Sequence, residues 1–261
     1  MTNHDLLLTW DKDPFVIGVA VLGLVAYAIH RRSHLGKRAL FFAVAWLVFV
    51  LALASPIGVL AHGYLFSAHM LQHILLVLIV PPLVLLSLPP VSTSSASTQG
   101  VGRFLVPWLL GVGAMWFWHA PMLCDAASRS VSVQRLQTVS LVAMGSAFWW
   151  PIIGPRLAHR FAAFPAMVYL FTACAACTIL GILVTFSPTE VCSVYASPVD
   201  RLGVLPLVRD GWGLTPSADQ EIGGLMMWVP GCLIYAVSIL AMYARYSRDE
   251  AEAPALSKDP T

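Results

Sequence analysis

The sequence predicts an all-α polytopic membrane protein: a bundle of seven transmembrane helices with the N-terminus outside and the C-terminus cytoplasmic. Three observations carry this reading. Of 261 residues, 58% are hydrophobic and only 11% charged, and the mean hydropathy is +0.77, whereas a soluble domain carries about 25% charged residues. The apolar residues gather into seven runs separated by Pro, Gly and charged clusters, and a run of roughly 20 such residues crosses a bilayer as one helix. Basic residues are distributed unevenly between the two faces that this threading creates. Ten fall on the predicted cytoplasmic side (Arg31, Arg32, Lys37, Arg38, Arg103, Arg156, Arg160, Arg245, Arg248, Lys258) and five outside (Lys12, Arg129, Arg135, Arg201, Arg209), as the positive-inside rule requires.

The first run, Phe15 to Ile29, follows a short acidic segment with neither a basic leader nor a small-residue cleavage site, so it reads as a retained helix. The patch RRSHLGKR, Arg31 to Arg38, places its far end in the cytoplasm. The second helix, Ala39 to Ala54, ends at Ser55-Pro56, since a residue before proline avoids helical geometry. An external loop with His62 and Tyr64 leads to the third, Phe66 to Leu88. Pro81-Pro82 removes two backbone donors from it and predicts a kink, which neighbouring helices must satisfy at membrane depth.

The polar stretch PPVSTSSASTQGVGR then reads as a cytoplasmic linker. The fourth helix, Phe104 to His119, ends at Ala120-Pro121, and the loop after it holds Met122, Cys124 and Asp125. The fifth runs from Val133 to Ile153 and the sixth from Pro165 to Phe186. A Pro- and Gly-rich external segment, Ser187 to Ala218, precedes the seventh, Asp219 to Tyr246. Residues 1–248 thus form the transmembrane domain, and 249–261 are expected to be a disordered cytoplasmic tail.

With this threading the metal-ligating side chains collect toward the external face. At about 100° per residue, His69 and His73 point about 40° apart on one helix face, with Gln72 beside them and Met70 at its margin. Met115 and His119 close the fourth helix, and Asp219, Met226 and Met227 open the seventh. Polar groups facing lipid are costly, so the histidine face should look inward. Imidazole, thioether and carboxylate from three helices suit Cu(I) or Cu(II). The candidate metal ligands are His69, His73, His119, Met70, Asp219 and Met226.

Each has an ordinary alternative. The histidines can be hydrogen-bonded across the bundle. Ser217 and Gln220 fit a capping box, in which Asp219 favours a helix N-terminus. Met226 and Met227 can be core filler, and Gly223, on the stripe shared by Asp219 and Met226, can admit a helix or a ligand. Cys124 and Cys192, both external, can form a disulfide. Cys174 and Cys177 read as helix-packing residues.

The runs LFSAHMLQHILLVLIVPPLVLLSLP and ADQEIGGLMMWVPG, with WFWHAP and FWWPIIGP between them, resemble the CtaG-type integral-membrane cytochrome c oxidase assembly factors from about Leu53 to Tyr243. The resemblance implies a bacterial plasma-membrane protein that helps mature a haem-copper oxidase, by aiding copper insertion into its catalytic subunit. It places His69, Gln72, His73, His119, Asp219, Gln220, Gly223, Gly224, Trp228 and Pro230 on the family's motif positions. The partners it implies are that catalytic subunit, an external copper donor protein and the lipid bilayer. Two rival readings stay open: a haem-binding membrane protein using histidine pairs, and a cofactor-free scaffold for the nascent oxidase subunit. No basic stripe with interleaved aromatics suggests nucleic acid, the five cysteines lack zinc-type spacing, and no hydrolase or phosphate-loop motif suggests an enzyme.

Overall fold

A computed structural model of the chain describes residues 2–30, 36–91 and 102–256. Within them every regular element is helical, and Val91 and Arg156 form an isolated bridge. In chain order the helices are α1 (Asn3–Leu7), α2 (Pro14–His30), α3 (Lys37–Ala54), α4 (Pro56–Ala61), α5 (Phe66–Ile74), α6 (Val80–Ser87), α7 (Gly102–Trp118), α8 (Pro121–Arg129), α9 (Val131–Ile153), α10 (Ala163–Thr185), α11 (Ser193–Ala196) and α12 (Pro216–Leu256). Five continuous helical stretches are long and apolar enough to cross a membrane: 37–54, 66–87, 131–153, 163–185 and 216–251. The 17-residue helices α2 and α7 occupy the first and fourth of the predicted spans. Arg31, Arg32, most of the serine-rich linker and Lys258 lie outside the described residues.

The prolines shape the architecture as their chemistry dictates. Pro56 and Pro121 occupy the first turns of α4 and α8, where a missing N–H costs nothing. Short helices therefore stand where the sequence predicts irregular loops. Pro81 and Pro82, lacking N–H groups, cannot continue the ladder of the third span. The helix widens into a π-helical turn, Leu75–Ile79, between α5 and α6. The carbonyl of Val77, four residues before Pro81, accepts the indole N–H of Trp149 at 3.2 Å. Gly145, also on α9, lets the two backbones approach here: a Cβ at that position would stand 3.0 Å from the Val77 oxygen.

This π-broken helix is the most buried of the long spans, enclosed by α3, α9 and α12. Phe148, Leu141, Leu76 and Leu170 fill the interior around it. Helices α10 and α12 pack closely through small residues, with Gly224 against Thr185 and Gly181 against Trp228. At the end of the bundle opposite the histidines, arginines satisfy backbone carbonyls: Arg160 donates to those of Ile153 and Gly154, and Arg245 to that of Phe161.

Two expectations for the C-terminal helix are corrected. Its N-cap is Thr215, whose hydroxyl accepts from the Ala218 amide at 3.2 Å, and Pro216 takes the first helical position. Thr215 precedes that proline and competes successfully with Ser217. The helix also continues through 249–256, where the sequence predicts a disordered tail; residues 257–261 lie outside the described chain.

Candidate functional site

The first turn of α5 begins after a turn at Gly63, whose φ is +91°, and Leu65 at its N-cap offers no side-chain acceptor. Asp219 supplies one from α12. Its two carboxylate oxygens accept from the Phe66 amide at 2.7 Å, the Ser67 amide at 3.0 Å and the Ser67 hydroxyl at 2.6 Å. Asp219 is fully buried, and the open amides and dipole of the helix it caps compensate its charge. The alternative that Asp219 serves a helix N-terminus is therefore correct in kind, with the helix being α5.

Above this cap, α5 presents His69, Met70 and His73 on one buried face. His69 and His73 lie with ring centroids 4.3 Å apart. From the C-terminal end of α7, His119 meets His73 edge to face at 5.3 Å. The Nε2 atom of His119 lies 3.1 Å from the Met70 sulfur, and its Nδ1 contacts the Met115 carbonyl. Four of the six predicted ligands thus come together from two spans. Asp219 is engaged at the α5 N-terminus. Met226 is half-buried against the core, while Met227 is the more buried of the pair.

The polar atoms here are incompletely satisfied. His69 Nε2 and both ring nitrogens of His73 are buried without hydrogen-bond partners. The contacts of His119 carry a further constraint. A neutral imidazole has one N–H, so if Nδ1–H donates to the Met115 carbonyl, Nε2 and the thioether face each other as two lone pairs. The opposite tautomer leaves Nδ1 and the carbonyl as facing acceptors, and charging the ring in a buried site costs several kcal/mol. A cation at Nε2 removes the conflict, and a ring N–H donated to a carbonyl is the usual second-shell support of a ligating histidine. Among the described residues, no three His, Cys, Asp or Glu side chains stand close enough to hold an ion by themselves. Any metal shell here would have to draw on the Met70 thioether or on an incoming group.

Composition and spacing did not single out two neighbours of the histidines. Gln137 of α9 faces His73 with its Nε2 unpaired, and Tyr195 of α11 stands 5.7 Å from His69 while donating to the Ala61 carbonyl at 2.7 Å. Gln137 carried a signal, being an amide within an apolar run; Tyr195 carried none. Gln72, which the histidine periodicity did include, ties α5 to α3 by donating to the Ala52 carbonyl at 2.9 Å.

A cavity of about 790 Å³ reaches this cluster from the bundle end. His69, Gln137, Tyr64 and Tyr195 are its buried polar lining, and His62, Arg129 and Arg201 stand among its walls. None of the described lining residues is acidic. A disulfide between Cys124 and Cys192 joins α8 to the segment before α11, and residues of α8 and α11 contribute to the cavity wall.

The fold and the site define a class: a helical bundle with membrane-length spans and a buried imidazole and thioether cluster beneath a polar cavity. The sequence pattern of the cytochrome c oxidase caa3 assembly factor (Caa3_CtaG) family matches residues 20–249. The chain belongs to that family. It is also similar to uncharacterized proteins of Mycobacterium leprae, 26% identical over 271 residues and 92% of this chain, and of Mycobacterium bovis, 25% identical over 283 residues and 94% of this chain. The chain spans 40% of the length of these relatives. No solved structure matches it.

Proposed function

We propose that this protein assists a bacterial haem-copper oxidase by holding copper as cargo and passing it to the catalytic subunit. In this reading the chain threads the plasma membrane seven times, N-terminus outside, so that the cavity opens externally. Copper from an external donor enters the cavity and binds His69 and His73, with His119 and the Met70 thioether completing the shell. The role is that of a carrier rather than an enzyme. Family membership supports the assembly role and an oxidase subunit as partner.

The observation that carries the copper reading is the contact of His119 Nε2 with the Met70 sulfur, beside three partnerless nitrogens on His69 and His73. Neutral imidazole and thioether suit Cu(I) without importing carboxylate charge into the membrane. An incomplete set of protein ligands suits transfer, because the receiving protein can enter the shell before the donor leaves it. Haem is disfavoured: His73 and His119 meet edge to face at 5.3 Å, which leaves no slot between them for a macrocycle. Elemental analysis with an absorption spectrum on protein purified from membranes tests this. Copper without a Soret band is expected; a Soret band with stoichiometric iron overturns it.

A further inference from the structure

Three cysteines remain as thiols, Cys174 and Cys177 on α10 and Cys232 on α12, and none belongs to the histidine site. The sulfurs of Cys174 and Cys232 stand 3.4 Å apart across the seam between α10 and α12, with the Cys174 thiol donating to Cys232. The hydroxyl of Thr178 lies 3.1 Å from the same Cys232 sulfur. The Cys232 sulfur is therefore the shared contact of Cys174 and Thr178. Cys177 points elsewhere, to the Tyr235 hydroxyl at 3.9 Å. The Cys174 and Cys232 side chains are half-buried. Phe171 and Val229, one turn before each, are 66% and 48% exposed, so the seam opens on the apolar surface of a membrane-length helix pair.

We propose that Cys174 and Cys232 form a reversible disulfide that locks α10 to α12 within the bilayer, with a membrane-soluble quinone as oxidant. Each thiol gives up one proton and one electron, the sulfurs bond, and the quinone leaves as quinol carrying both protons and both electrons. The alternative use of two close thiols, clasping a soft monovalent ion, creates a net negative dithiolate in an apolar seam, whereas the disulfide is neutral before and after. An oxidant of this class reaches the pair laterally through lipid. The proposal stands apart from the copper site and does not depend on it.

The test uses the purified full-length protein in lipid nanodiscs, incubated with decylubiquinone, denatured without reductant and alkylated with N-ethylmaleimide. Three labels before oxidation should fall to one, with a proteolytic peptide pair joining Cys174 to Cys232 and reverting on dithiothreitol treatment. Cys177→Ser should leave the cross-link intact, and Cys174→Ser should abolish it. Should Cys174→Ser fail to accumulate, the peptide map of the unsubstituted protein decides alone. Retention of three labels, or a bond mapped to Cys177, overturns the proposal.

Discussion

Asp219 caps a helix that is not its own: its carboxylate accepts the backbone amide of Phe66 at 2.7 Å, 153 residues away in sequence. Through this bond α12 fixes where α5 begins, and hence where His69, Met70 and His73 stand. The motif positions of the two helices are thus coupled through one carboxylate.

Replacing Asp219 by alanine strands three buried donors. Each charge-assisted bond is worth about 1.5–3 kcal/mol, not additively, so the substitution should cost about 3–5 kcal/mol, with Asp219→Asn costing less. Denaturant unfolding in detergent measures this. Equal stability of Asp219→Ala and the parent protein would contradict the capping role.

Gly223 sits where a Cβ would stand 2.5 Å from the Phe66 ring and 3.1 Å from Met70 Cγ. Its missing side chain admits a helix, one of the two possibilities its stripe position leaves open. Gly223→Ala should destabilise by about 1–3 kcal/mol through overpacking and, by displacing Met70, weaken copper binding more than a Gly→Ala change at the open Gly113. Paired unfolding and copper titrations of both variants check this.

Trp149→Phe keeps most of the aromatic packing but removes the donor to the Val77 carbonyl. The orphaned acceptor should cost about 1–3 kcal/mol. Hydrogen exchange should accelerate around the π turn, Leu75–Ile79, and unchanged exchange there would count against the indole's role.

His62 lies between α4 and α5, beside the cavity. Burial holds its pKa below the ordinary 6.5, against the opposing pull of Asp11 and Asp13. The unfolded chain therefore binds the proton more readily. Stability from this group is complete above about pH 6.5 and falls as pH drops through the window below it. His62→Gln should flatten the acid limb of the stability profile between the lowered value and 6.5.

Five membrane-length helices, the proline boundaries and the convergence of His69, Met70, His73 and His119 were legible in sequence because helical periodicity and membrane cost both constrain them. The π turn was foreshadowed by Pro81-Pro82, but its form depends on Trp149 and Gly145 from another helix. The same holds for Asp219, whose partner lies in a distant part of the chain, and for Tyr195, which stands beside His69 from a segment more than a hundred residues away while bonded to the Ala61 carbonyl. Thr215 capped where Ser217 was expected because the fixed φ of Pro216 suits the first helical position.

The most direct test of the copper site is anaerobic Cu(I) titration of the purified protein beside His69→Ala/His73→Ala, with folding verified by circular dichroism. About one tightly held Cu(I) per chain is expected for the parent protein, following from a single ligand cluster, and its loss in the double variant. Unchanged stoichiometry in a folded double variant would contradict the account.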